Sequence, residues 1–243
     1  MNDTLGLLHS HRSIRKYSDE PVTDEQIKAA VMAGQAASTS SAVQAYSLLQ
    51  VTDPARREAL VELTGGQTKV ALCGAFFVVC GDSRRHQVLA EAADAPFEVS
   101  LETFLVAAVD ASLFAQNLCV AFESMGLGIC YIGGLRNDLQ QVDALLELPE
   151  GVFPLYGLCV GHPAETPGPR PRLPAELIWS KDAYPSDDEI ASQVSSYDEV
   201  YRDYMRQRGA APVGWSERMI KQHGSVRRAA LAAYYTQKGA RLS

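Results

Sequence analysis

Apolar residues in this chain fall into two kinds of stretch: short unbroken runs, and longer segments in which they recur every three or four positions. The run at 75–80, with Phe76, Phe77, Val78 and Val79 between Gly74 and Gly81-Asp82, predicts a strand, and so do the runs at 129–132 and 155–160. A fourth, at 47–52, alternates poorly but is short, apolar and bounded by Asp53-Pro54. Runs without polar interruption suit strands covered on both faces. Helical spacing appears at 4–9 and again after Thr23-Asp24-Glu25-Gln26, where a threonine three residues ahead of a glutamine is the signature of a capping box. Ile27, Ala30, Val31 and Gly34 then share one face, which predicts a helix over 24–36.

The longest helical pattern covers 102–125. It is apolar on nearly every side, relieved by Asp110, Ser112, Gln116, Asn117 and Glu123, and stopped by Gly126. Its charges and amides break up the roughly 18 apolar residues of a membrane span, so it is expected to be a deeply buried helix of a globular protein. Covering its whole perimeter takes more surface than one small domain supplies, which points to a dimer core. Four strands separated mostly by helices predict an α+β fold with a mixed central sheet. Beyond Pro174 tyrosines and charges dominate, with helical periodicity at 189–207 and 226–237, and we expect a single domain over 1–243 whose last part, from about 175, is a helical extension.

Composition changes the picture in two respects. With 243 residues, 47% hydrophobic and 21% charged, the chain has the makings of an ordinary core, while a net charge of −7 and the lack of a dense Lys/Arg run argue against a nucleic-acid partner. The arginines sit in small groups instead, as suits a small anionic ligand. The five cysteines, Cys73, Cys80, Cys119, Cys130 and Cys159, form no CxxC pair and no zinc-ligand spacing, and all lie in or beside apolar runs; we expect buried reduced thiols and no metal. The first residues do not read as a secretory leader, and a cytoplasmic location is expected.

Three strings carry candidate chemistry. His11-Arg12-Ser13-Ile14-Arg15 gathers donors enough for several charge-assisted bonds to one phosphate. Tyr131-Ile132-Gly133-Gly134-Leu135-Arg136-Asn137 ends an apolar run on paired glycines, either a simple turn or a backbone built to approach a flat ligand. Arg170-Pro171-Arg172-Leu173-Pro174 presents two more guanidinium groups on a proline-stiffened loop. Ser38-Thr39-Ser40-Ser41 is a polar array after the 24–36 helix, and Gln67, following Thr64-Gly65-Gly66, is either loop polarity or an amide for a polar ring edge. The GxGxxG, Walker A, GxSxG and HExxH signatures are all missing from the sequence.

These strings, with Gln44, Ala115-Gln116-Asn117, Gly126-Leu127-Gly128 and Phe153-Pro154-Leu155-Tyr156-Gly157-Leu158-Cys159, resemble the flavoprotein nitroreductases, the group of oxygen-insensitive NADPH nitroreductases and NADPH-flavin oxidoreductases, along essentially the whole chain. The resemblance implies a homodimer with FMN at the subunit interface, against a central sheet flanked by helices, and a C-terminal extension that embraces the partner. It implies that His11, Arg12, Ser13, Arg15, Arg170 and Arg172 surround the FMN phosphate and other polar groups, and that Thr39 and Gln67 bond the flavin or ribityl chain. Tyr131, Ile132, Gly133 and Gly134 would line the isoalloxazine, with the Gly133 N–H near N5, while Ser41 and Arg228 would border the acceptor pocket. The implied activity is a ping-pong, two-electron NAD(P)H oxidoreductase for nitroaromatics, quinones, flavins, azo dyes or metal oxyanions, with no protein nucleophile. The alternative is a flavin-binding protein without reductase turnover, for storage, regulation or flavin breakdown.

Two positions depart from the family pattern. Arg170 stands where many members carry lysine, which keeps the charge but changes its reach. Members that select NADPH carry an arginine pair after the tyrosine-rich helix; Arg208 matches the first, and Ala211-Pro212-Val213-Gly214 offers no second, although Arg206 is nearby. NADPH is therefore the expected reductant by a modest margin over NADH.

Overall fold

All four apolar runs form strands, and their register divides the side chains between two cores. The computed structural model describes residues 2–241, which fall into two compact units: 2–167 together with 230–241, and Gly168–Ala229. In chain order the larger unit contains α1 (Asp3–His9), α2 (Asp24–Gln35), β1 (Tyr46–Gln50), α3 (Pro54–Leu63), α4 (Lys69–Leu72), β2 (Ala75–Asp82), α5 (Arg84–Ala92), α6 (Leu101–Ser124), β3 (Gly128–Ile132), α7 (Leu139–Leu146) and β4 (Val152–Gly161). The second unit contains α8 (Ala175–Ile178), α9 (Asp187–Gln207) and α10 (Trp215–His223), and α11 (Leu231–Tyr235) belongs again to the larger one.

The sheet order is β1-β2-β4-β3. The α+β class is as expected, but every pairing among the described strands is antiparallel rather than mixed. Helices between strands suggested crossovers; here the connections from β1 to β2 and from β3 to β4 start and finish at the same end of the sheet, which makes neighbours antiparallel. Every residue of β2 is buried. Its alternation sends Phe77 and Val79 into a core shared with α2 and α6, while Phe76, Val78 and Cys80 enter a second core under α3, α4 and α7. Each fully buried phenylalanine contributes on the order of 2 kcal/mol.

Local signals explain the helix boundaries. At the start of α2 Gln26 N–H donates to Thr23 Oγ1 (3.2 Å) and Thr23 N–H to Gln26 Oε1 (2.9 Å), the capping box read from the sequence. Gly34 lets α2 close on α6, since a Cβ there would lie 2.7 Å from the Phe114 ring. The α6 helix departs from the expected all-round burial. Ala107, Asp110, Ala111, Phe114, Ala115, Leu118, Cys119 and Phe122 are buried, but Leu101, Leu105, Val109 and Leu113 stay 42–50% exposed in an i, i+4 stripe. A helix on a sheet buries one face of its 3.6-residue period and leaves the other outward. By length and composition α6 could cross a membrane, yet its buried carboxylate and its packing on the sheet are those of a core helix.

The chain from about 175, read as one extension, is in two pieces. Gly168–Ala229 forms its own unit, in which Asp198 of α9 accepts from Ser216 N–H (2.8 Å) and from the Ser216 hydroxyl at the start of α10, and Tyr197 meets Trp215 edge-on. Residues 230–241 pack in the larger unit. Tyr235 donates to Pro154 O (2.8 Å), and the buried Lys238 ammonium donates to Asp143 Oδ1 (2.9 Å) and Leu148 O (2.7 Å). The helix expected over 226–237 is confined to α11 and a π-turn, Thr236–Ala240.

Candidate cofactor-binding site

The arginine-bearing segment after α1 is clamped along β3. Ile14 N–H donates to Ile129 O (2.9 Å), and the buried Ile14 side chain occupies the space a Cβ on Gly128 would need, 2.5 Å from its Cγ1. Glu165 Oε1 accepts from Arg15 N–H (2.6 Å) and Lys16 N–H (3.2 Å), and His11 Nδ1 lies 2.7 Å from Glu123 Oε1. These ties hold the backbone, so Ser13 and the exposed Arg15 side chain are presented from a fixed strip, with Arg12 near Pro167 O at 3.5 Å. Arg15 Nη1 donates to Ser13 O (3.2 Å).

Two distant loops meet at one corner. Gly133 and Gly134 open a short 3-10 turn directly after β3, and a Cβ on Gly134 would lie 2.4 Å from Gln67 Nε2 and 2.5 Å from Thr64 O. Only glycine fits that approach. The Gln67 amide donates to Thr64 O (2.8 Å) and accepts from Lys69 Nζ (2.8 Å). Burial pushes the Cys130 thiol of β3 up, against the pull of the Arg15 guanidinium and the Lys69 ammonium. The chemistry offered at this corner is a polar backbone, one oriented amide and the Lys69 ammonium.

Tyr131 faces the other way. Alternation along β3 turns its ring onto the α6 side, where Cys119 Sγ donates to its hydroxyl (3.2 Å) and Tyr156 packs edge-on; burial drives its phenol well up. Ile132 is buried in the second core.

The serine-rich loop is tied to α6 instead. The fully buried Asp110 accepts from Ser40 N–H (2.9 Å) and Ala45 N–H (3.2 Å), bracketing a segment in which Ser41, Ala42 and Gln44 adopt left-handed φ of 47°, 58° and 53°. Such conformations in non-glycine residues cost on the order of 1 kcal/mol each and persist only where surroundings impose them. Thr39 precedes this loop in extended conformation.

In the second unit Tyr197 donates to Pro171 O (2.9 Å) and so fixes the loop bearing Arg170 and Arg172. Both arginines line a cavity of about 530 Å³ with Tyr201, Trp215 and Arg218. Arg208 Nη1 donates to Tyr204 Oη (2.6 Å), with its guanidinium 5.5 Å from the ring centre. Burial opposes ionisation of Tyr204, but the hydrogen bonds from Arg208 and Arg170 prevail and pull its phenol below the ordinary value. The Arg206 guanidinium is engaged with Asp203. Arg228 adopts a left-handed φ of 55°.

The predicted residues thus lie in separate places: Arg12, Ser13 and Arg15 on the strip along β3, Gln67 with Gly134 at the loop corner, Thr39 and Ser41 beside Asp110, and Arg170, Arg172 and Arg208 in the second unit. Sequence reasoning missed Asp110, Lys69 and Glu165 as determinants. Asp110 had a signal, a carboxylate in the middle of an apolar helix, and Lys69 lies two residues from Gln67; Glu165 acts through a tertiary contact that no spacing announces.

Residues 8–162 match the nitroreductase family model, and residues 170–243 match that of the nitroreductase family C-terminal domain. The chain belongs to the nitroreductase family. It is 43% identical, over 98% of both chains, to the FMN reductase (NADPH) of Bacillus subtilis strain 168. It is 46% identical to the oxygen-insensitive NADPH nitroreductase of Salmonella typhimurium strain LT2, with 86% of this chain and 85% of that one covered. Among solved structures, the NADPH:FMN oxidoreductase from Vibrio harveyi complexed with NAD+ superposes with a TM-score of 0.90 at 38% identity over 98% of each chain. Across this family member the described residues contain no group of three or more His, Cys, Asp and Glu side chains placed to hold a metal ion.

Proposed function

We propose that this chain is an FMN-dependent NAD(P)H oxidoreductase that passes two electrons to a small acceptor such as a nitroaromatic, a quinone or a flavin. The observation that carries this reading is the Gln67–Gly134 corner, where glycine backbone, an oriented amide and the Lys69 ammonium meet. The donors present fit FMN in kind: the Gln67 amide and the Lys69 ammonium, held together at 2.8 Å, suit a polar ring edge, and the arginine strings suit a phosphate. Bound there, the flavin would supply hydride acceptance and two-electron transfer.

The chain's own residues then have defined duties. Arg12, Ser13 and Arg15, on a strip fixed by Ile129 and Glu165, neutralise the phosphate, a duty that the family resemblance also gives to Arg170 and Arg172. Lys69 and Gln67 stabilise negative charge on the ring without moving, because Gln67 is already held by Thr64 O. Gly133 and Gly134 contribute peptide N–H groups. Thr39 bonds the ribityl chain or ring, Ser41 and Arg228 border the acceptor, and Arg208 contacts the reductant's adenosine phosphate. The reading includes a homodimer, whose interface the exposed Leu101, Leu105, Val109 and Leu113 stripe would fill. The five free, buried thiols suit a reducing cytoplasm.

The test is anaerobic addition of NADPH to the FMN-loaded protein. Bleaching of the flavin absorbance, restored by a quinone or nitroaromatic, is expected. Persistent colour with both NADPH and NADH would leave a flavin binder without turnover and overturn the reading.

A further inference from the structure

The α10 helix carries a mixed face where a packed helix would carry an apolar one. Trp215, Arg218, Met219 and Gln222 follow the i, i+3, i+4, i+7 spacing of a single helical face, which a helix ordinarily buries as an apolar stripe. None of the α10 residues is buried, and these four line the cavity of about 530 Å³ instead. From α9 the buried Tyr197 and Tyr201, one turn apart, line it as well. The loop bearing Arg170 and Arg172 completes the wall, held by the bond from Tyr197 to Pro171 O (2.9 Å). Every lining residue belongs to Gly168–Ala229, so the cavity is formed within one unit.

The charge on this wall is one-sided. Arg170, Arg172 and Arg218 line the cavity, and no carboxylate does. Among the described residues none of the three is in an ion pair, whereas in the same unit Arg202 is paired with Glu199 and Glu217, and Arg206 with Asp203. Arg218 Nη1 donates to Tyr201 Oη at 3.3 Å, a long bond that leaves most of the guanidinium donors open. In a chain of net charge −7, three guanidinium groups gathered without an acid raise the local positive potential, which an anion relieves. The rest of the wall suits a flat ring. Trp215 meets Tyr197 edge-on with ring centres 5.9 Å apart, and the Tyr197 and Tyr201 rings lie 6.1 Å apart. The Gln222 amide adds a donor and an acceptor for a polar ring edge. The volume is that of a small-molecule site, for which about 300–1,000 Å³ is usual.

We propose that this cavity binds a planar aromatic ring carrying two or more negative charges, and that Arg218 selects for the charge. A single carboxylate would leave guanidinium groups unmatched, whereas two anionic groups engage all three arginines in charge-assisted bonds. The ring lies against Trp215 and the two tyrosines. Two sources share this chemistry, a nucleoside bisphosphate and an aromatic dicarboxylate. The flavin reading above gives Arg170 and Arg172 a phosphate but has no part for Arg218, Trp215 or Gln222, so the proposal goes beyond that reading and does not depend on it.

Calorimetric titration of the purified full chain, with and without FMN, is the deciding experiment. Adenosine 2′,5′-bisphosphate and 5-nitroisophthalate probe the two sources, with adenosine and nitrobenzene as their uncharged counterparts. At least one polyanion should bind saturably, roughly ten-fold or more tighter than its uncharged counterpart and equally well with FMN present; the tighter of the two identifies the source. Arg218→Gln should weaken that binding roughly ten-fold or more, as the loss of one charge-assisted bond allows, and leave FMN affinity as in the parent. The comparison of charged and uncharged probes in the parent decides even if the variant fails to fold. The proposal is overturned if neither polyanion binds better than its uncharged counterpart, if folded Arg218→Gln binds as the parent does, or if FMN displaces the polyanion, which would make the cavity part of the flavin's own site. A chain that takes up no FMN would overturn the flavin reading, and the titration without FMN would then decide the cavity.

Discussion

In the larger unit the polar groups of the candidate site bond to main chain: Asp110 to two N–H groups, Glu165 to two more, Gln67 to Thr64 O. In the Gly168–Ala229 unit the arginines at the end of α9 bond to other side chains, Arg206 to Asp203 and Arg208 to Tyr204. A main-chain partner is held by secondary structure and cannot turn away, whereas an exposed side-chain partner shares its time with water. The first arrangement fixes geometry and makes substitution costly; the second offers charge with tolerance.

Asp110 should show the contrast most strongly. Asp110→Ala leaves Ser40 and Ala45 N–H groups without their acceptor and releases a strained loop, so urea unfolding should show a loss of about 3 kcal/mol, and Asp110→Asn clearly less. A cost below 1 kcal/mol in the alanine variant would mean that the loop is held by something else. Gly134→Ala comes next. Its methyl group must displace Gln67 or the Thr64 carbonyl, for about 1–3 kcal/mol of overpacking and a weakening of FMN binding of roughly ten-fold, both read from thermal melts and fluorescence titration.

Arg15→Ala tests whether a fixed backbone makes an exposed cation matter. Loss of one charge-assisted bond is worth about 1.5–3 kcal/mol, so FMN should bind roughly ten-fold or more weakly while the unfolding midpoint stays put. Equal FMN affinity in variant and parent would remove Arg15 from the site. The smallest effect belongs to the second unit. Arg208→Ala should lower the NADPH-to-NADH ratio of kcat/KM only by the factor that about 0.2–1 kcal/mol allows, chiefly through KM for the nicotinamide. A ten-fold collapse of that ratio would show that the exposed arginines are more rigidly held than their partners suggest.

What could be read in advance follows the same division. Strands β2, β3 and β4 announced themselves because both of their faces are buried, and α2 because its cap is a local motif. The helices α3, α5, α7 and α10 went unread: Asp53-Pro54 looked like the end of a strand, although Asp53 accepts from Ala55 N–H (2.8 Å) and the proline fills the first helical turn. Arg84–Ala92 has too few apolar residues for a face to stand out. The arginine strings and the paired glycines were legible as chemistry. The partner Glu165 that fixes the first string was not, since a carboxylate that meets a backbone 150 residues away leaves no trace in spacing.

Residues 170–243 correspond to one family module, yet Tyr234, Tyr235 and Ala240 at its far end help build a core with Phe153, Leu139 and Ala107 of the larger unit. The unit of inheritance and the unit of folding therefore have different borders. A chimera that exchanges this module between relatives at residue 170 transplants a piece of the recipient's own hydrophobic interior along with it, including the lysine that closes on Asp143. Grafts that end at 229 and keep the host's last residues should fold more readily than grafts that follow the sequence boundary.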